Sequence, residues 1–116
     1  MKYSSVVQDE IQRVMERLQV WKNLFFFSIT FYYEGWSISL KEKNIYPRLI
    51  IIFKSFDDKS YSIKSFEIHN NSKEKEEYKE LYFINNLPGQ ESLLKEVREI
   101  INGKDLVSCA RNKLQD

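Results

Sequence analysis

Residues 24–33 read LFFFSITFYY, and they decide the architecture because six of the ten are aromatic. Aromatic and β-branched side chains of this density belong on a strand, where successive residues point to opposite faces. Phe25, Phe27, Ile29, Phe31 and Tyr33 then share one face, and Leu24, Phe26 and Tyr32 share the other with Ser28 and Thr30. A half-buried strand needs one apolar face, and this one has bulk on both. Something must cover the second face: the chain's own helices or another molecule.

Working outward, Glu34-Gly35 reads as the two-residue loop of a hairpin, with glycine supplying a positive φ. That loop sets Tyr33 opposite Trp36, Phe31 opposite Ile38 and Ile29 opposite Leu40. Tyr32, Thr30 and Ser28 then face Ser37, Ser39 and Lys41. Opposed residues share a face, so the first set is the expected core. The run YPRLIIIFKSF gives a third strand with Pro47 at its start, and its apolar 49–53 stretch reads as buried from two sides. YSIKSFEIH gives a fourth. Its alternation slips between Tyr61 and Ile63 on one phase and Phe66 and Ile68 on the other, which a bulge near Lys64-Ser65 would reconcile. With Asp58-Lys59 at the turn, Leu49 and Ile51 oppose Ile68 and Phe66, and Phe56 opposes Tyr61. The second face then gathers Ile50, Ile52, Phe56, Tyr61 and Ile63, with Phe26 and Tyr32 at its far side. Helices on both faces of the sheet are expected to cover it.

Upstream, Val7, Ile11, Val14, Leu18 and Trp21 fall at helical spacing, with Ser5 and Gln8 as a capping box and Asn23 as a stop. Leu18 and Phe31 are both assigned to the core. Downstream, NNSKEKEEYKELYFINN is read as a helix capped near Asn71 or Ser72, with 81–84 as the alternative fifth strand. SLLKEVREII carries Leu93, Leu94, Val97, Ile100 and Ile101 on one stripe, and Gly103 follows as a natural C′ residue. Asp105 can cap a last short helix bearing Leu106, Cys109, Ala110 and Leu114. The expected fold is therefore a single α+β domain over residues 1–116. It has an N-terminal helix, a four-stranded antiparallel meander with a fifth strand near 80–84 as the variant, and two or three C-terminal helices.

The totals narrow the function classes. A chain of 116 residues with 42% hydrophobic content buries a core without metal or disulfides. A net charge of +1, spread evenly along the chain, lacks the basic excess of nucleic-acid binders, so no nucleic-acid partner is expected. The single cysteine excludes an internal disulfide and fits a reducing, cytoplasmic setting. No apolar run approaches the roughly 20 residues of a membrane helix, and the N-terminus does not read as a signal peptide.

No cofactor or metal motif is present, and one Cys with one His cannot supply a structural zinc. The enzyme alternative rests on His69, the sole imidazole, with Cys109 or a carboxylate as its partner. Glu74, Glu76, Glu77 and Glu80 alternate with Lys73, Lys75 and Lys79, the pattern of a solvated face. The expectation is a non-catalytic bacterial binding protein. Its most concrete form is an immunity protein that neutralises a cognate toxin by occluding its active site or substrate surface. Phe26, Tyr32, Glu74, Glu77 and Glu80 are its candidate partner-binding residues. A homodimeric structural or chaperone-like module is the remaining alternative, so the chain is expected as a monomer or a homodimer.

Overall fold

The computed structural model describes residues 5–44, 47–70 and 75–104. Helix α1 (Ser5–Leu18) ends in a 3₁₀ turn at Gln19–Trp21. Five strands follow, β1 (Phe25–Phe31), β2 (Gly35–Glu42), β3 (Arg48–Ser55), β4 (Tyr61–Asn70) and β5 (Glu76–Leu87), and then α2 (Gln90–Ile101). The strands form one antiparallel meander in sequence order, β1-β2-β3-β4-β5. The class is α+β, as expected, but the sheet has a full fifth strand and one C-terminal helix among the described residues. Of the segment read as a helix from Asn71 or Ser72, residues 76–87 are β5. The final helix expected from Asp105 lies outside the described residues.

Both helices lie on the same face of the sheet. α1 buries Ile11, Val14 and Leu18, and α2 buries Leu93, Leu94, Val97 and Ile100, the stripes that the helical spacing picks out. They meet Phe25, Trp36, Ile38, Leu40, Ile50, Ile52, Tyr61 and Ile63 in one continuous cluster. Trp36 and Tyr61 touch edge to face within it, with ring centroids 6.2 Å apart. This corrects the expected three-layer arrangement. In the β2–β3 register Ile38 faces Ile52 and Leu40 faces Ile50, so Ile50 and Ile52 join the first hairpin's core face. Leu49, Ile51 and Phe66 take the other face instead.

The first hairpin also slips from its expected register. Phe31 opposes Trp36, Ile29 opposes Ile38 and Phe27 opposes Leu40, and the Tyr32 N–H donates to the Gly35 carbonyl at 2.8 Å. The loop is therefore Tyr33-Glu34, and Tyr33 is solvent-exposed rather than core. Gly35 is a strand residue. A Cβ built there would lie 2.1 Å from the Lys54 carbonyl oxygen, so glycine is needed for the close approach of β3 and not for a turn. The β3–β4 pairing slips likewise, with Leu49 opposite Phe66 and Ile52 opposite Ile63. The β3–β4 register is unbroken and both irregularities lie in the β4–β5 pairing, one of them between Ser65 and Phe66, beside the bulge expected near Lys64-Ser65 but with its extra residue on β5. One sets Asn85 and Asn86 against Ser62, with Asn86 at φ 60°, and the other leaves Leu81 unopposed.

Polar side chains fasten the helix layer. Arg48, buried on the helix side of β3, donates to the Ile100 carbonyl at 2.8 Å and the Ile101 carbonyl at 3.2 Å, and pairs with Glu42 at 3.2 Å. It thus satisfies carbonyls that the end of α2 leaves without helical partners. At the other side of α2, Glu96 accepts hydrogen bonds from Lys104 at 2.7 Å and the Tyr82 hydroxyl at 2.8 Å. Burial pushes the Glu96 carboxyl up, but these two donors outweigh it and hold it below its ordinary 4.5. Its contribution to stability is then present above pH 4.5 and is lost as pH falls through the lower folded value. Glu96→Gln is expected to lower the melting temperature at pH 7, with the gap from wild type narrowing on acidification. Thermal melts across that range test this, and a gap independent of pH would contradict it.

Candidate protein-binding face

With both helices on one side, the opposite face of the sheet carries no helix among the described residues. Strand alternation gives it Phe26, Ser28 and Thr30 from β1, with Tyr32 just beyond, and Ser37, Ser39 and Lys41 from β2. Leu49, Ile51 and Phe53 of β3 and Ser62, Lys64 and Phe66 of β4 continue it. The bulge at Leu81 then switches the phase of β5. Phe83 faces Lys64 on this side, Glu80 faces Phe66, and Tyr78 faces Ile68.

The centre of the face is apolar and shallowly concave. One depression of about 370 Å³ is lined by Tyr32, Tyr33, Glu34, Ser37, Ile51 and Phe53. A second, of about 250 Å³, is lined by Ile51, Phe53, Ser62, Lys64 and Phe66, so Ile51 and Phe53 form the ridge between them. The Tyr32 ring leans on Phe53 at 6.1 Å, and the Ser37 hydroxyl donates to the Tyr32 oxygen at 3.3 Å, which fixes that ring at the mouth. Phe66 meets Tyr78 edge to face at 6.3 Å.

Charged groups border this centre in opposite-sign pairs. Lys64 lies 3.7 Å from Glu80 and 5.3 Å from the Phe83 ring centroid. Lys41 reaches Glu76 at 3.4 Å, although β3 and β4 lie between their strands. A hydrogen bond from Tyr78 and the nearby Lys41 hold the Glu76 carboxyl below its ordinary value. A central apolar area with aromatics, rimmed by polar groups, is the composition of a protein-contact surface.

The sequence-derived site residues divide across the structure. Phe26 and Tyr32 both lie on this face, 62% and 48% exposed, but toward opposite ends of β1. The Lys43 ammonium covers the Phe26 ring at 4.8 Å. Glu80 joins them on the same face, whereas Glu77, opposite His69, falls on the other phase of β5. Glu74 lies outside the described residues. Leu49, Ile51, Phe53 and Phe66, the centre of the face, were missed as contact residues because the expected register placed them in the core.

His69 stands on β4 with its side chain 49% exposed, and its Nε2 lies 3.1 Å from Glu67 on the same strand. Cys109, its proposed partner, lies outside the described residues. Among the described residues no three His, Cys, Asp or Glu side chains gather into a metal-holding group, and no helix is long and apolar enough to cross a membrane. No protein-family model, curated protein sequence or solved structure matches this chain.

Proposed function

We propose that this chain is a non-catalytic binding protein that covers a protein partner with the sheet face that carries no helix among the described residues. The observation that supports this is the aromatic, concave centre around Ile51, Phe53 and Phe66, bordered by the Lys64–Glu80 and Lys41–Glu76 pairs. In its most specific form the reading is an immunity protein acting in the bacterial cytosol on a cognate toxin. Occlusion needs no chemistry from the inhibitor. It requires an area of apolar contact with anchoring aromatics near its middle, which this face offers. The near-neutral net charge argues against a nuclease target, because an inhibitor that mimics phosphate is acidic.

The test is to read the adjoining reading frames for a toxin domain, whose absence would count against this form of the proposal, and to co-express the chain with one found there, scored by growth. Wild type is expected to protect. Tyr32→Lys is expected to keep its melting transition within about 0.5 kcal/mol, as a surface substitution does, and to protect less well. His69→Ala and Cys109→Ser are expected to protect fully. Loss of protection in a folded His69→Ala protein with unchanged partner affinity would move the chain to the enzyme class.

A further inference from the structure

The two edges of the sheet are built differently. β5, at one edge, carries Glu76, Glu77, Lys79 and Glu80, two register shifts and a residue at positive φ. Charges and bulges are the ordinary devices that keep a sheet edge from pairing with another strand. β1, at the other edge, has none of them. Its sequence FFFSITF contains no charge and no proline, and its register against β2 is unbroken. It leaves apolar side chains exposed on both faces, Phe26 at 62% on one and Ile29 at 41% and Phe31 at 42% on the other.

The pairing with β2 fixes which backbone groups of β1 face outward. The Tyr32 N–H donates to the Gly35 carbonyl, and the Lys43 N–H donates to the Leu24 carbonyl. Hydrogen-bonded pairs alternate along an antiparallel ladder, so even-numbered residues bond to β2. The N–H and C=O groups of Phe27 and Ile29 therefore point away from the sheet.

We propose that β1 is a self-association edge. Two copies join antiparallel about a two-fold axis at Ser28, making one sheet continuous across both. In that register Phe27 of one copy exchanges hydrogen bonds with Ile29 of the other, and Phe25 lies opposite Phe31. All four are on the helix side, where they extend the core across the junction. Ser28 meets its own copy in the wide, non-hydrogen-bonded position. A second copy is the favoured occupant because the edge complements itself. The strand carries no charge to oppose its own copy, and its helix-side residues Phe25, Phe27, Ile29 and Phe31 are all apolar and fall symmetrically about Ser28. The dimer uses the outward backbone groups of β1, whereas the proposed partner contact centres on Ile51, Phe53 and Phe66 of β3 and β4, so sedimentation and partner protection test the two proposals separately.

Sedimentation of the full chain over a concentration series tests it. Wild type is expected to dimerise. Ser28 is exposed, so Ser28→Lys and Ser28→Glu should fold normally, which thermal melts verify. Each sets like charges against each other and is expected to weaken the dimer by about fivefold. Mixing the two variants should restore dimerisation as a heterodimer. In a Cys109→Ser background, Ser28→Cys is expected to oxidise to a covalent dimer, since a wide pair brings Cα atoms to about 4.5 Å, within disulfide reach. A wild type that is monomeric at its highest soluble concentration would overturn the proposal. So would a dimer indifferent to both charges that forms no disulfide.

Discussion

Ile52→Lys is expected to abolish the folded state or nearly so. Ile52 is fully buried between Ile38 and Ile63 beneath both helices, and lysine there would carry an ammonium into the core with no partner. Burying an unpaired charge costs on the order of 5 kcal/mol, a large share of the roughly 5–15 kcal/mol that holds a typical domain together. The adjacent Ile51→Lys is the control. Its side chain points to the face opposite the two described helices, so it is expected to cost about 1 kcal/mol in a urea melt while reducing partner binding. Two neighbouring residues thus separate the faces. Equal destabilisation by both substitutions would mean that the second face is covered as well.

Gly35→Ala should destabilise by about 3 kcal/mol, unusually much for one methyl group. The new Cβ would meet the Lys54 carbonyl oxygen at 2.1 Å and the Ser55 Cα at 2.9 Å, both backbone atoms that cannot rotate aside. Relief requires β2 and β3 to part at the end where Trp36 enters the core. Near-ultraviolet circular dichroism, which reports the Trp36–Tyr61 contact, should change along with the urea midpoint. Gly89→Ala is the comparison, because nothing lies within 4 Å of a Cβ at that position, and its cost should stay below about 1 kcal/mol. Comparable losses for the two glycines would show that chain entropy, not the close approach, governs Gly35.

α1 and α2 were legible in the sequence because their apolar stripes are regular, and Gly103, at φ 104°, marks the end of α2. The hairpins were legible as hairpins, with the correct odd–even partition within each, because a shift of two in pairing preserves the faces. Joining them failed. The relation between the first and second hairpins depends on the β2–β3 register, which runs through a loop with no turn signature, and an error there exchanges Ile50 and Ile52 with Leu49 and Ile51. Gly35 misled for a related reason. A glycine needed for backbone proximity to a distant strand looks, in sequence, like one needed for a turn. Phe31 was assigned to the core but is 42% exposed: it shares the helix side of the edge strand with the buried Phe25 but lies at the other end of it, outside the core cluster.

β5 was misread through its charges. A Glu- and Lys-rich segment resembles the solvent side of a helix, yet the same residues guard an edge strand, and Tyr78, Tyr82 and Ile84 are placed by cross-strand pairing that no local pattern reveals. The candidate site shared this fate. Phe26 and Tyr32 were identifiable as excess bulk on a strand that already had a core face. The concave centre appears only when β3 and β4 are set beside β2.

The strict sequence order of the strands bears on how the chain reaches this state. Every strand pairs with its immediate successor, so the sheet can form by a series of short closures, the kind of topology associated with rapid folding. The helix layer is different. α1 and α2 meet on one face although all five strands separate them in the chain, with Arg17 reaching Glu91 at 2.7 Å. During synthesis Trp36, Ile38, Leu40, Ile50 and Ile52 therefore emerge well before α2 can cover them. The nascent sheet passes through a stage in which α1 alone shelters its core face, and α2 completes the cover that α1 has begun.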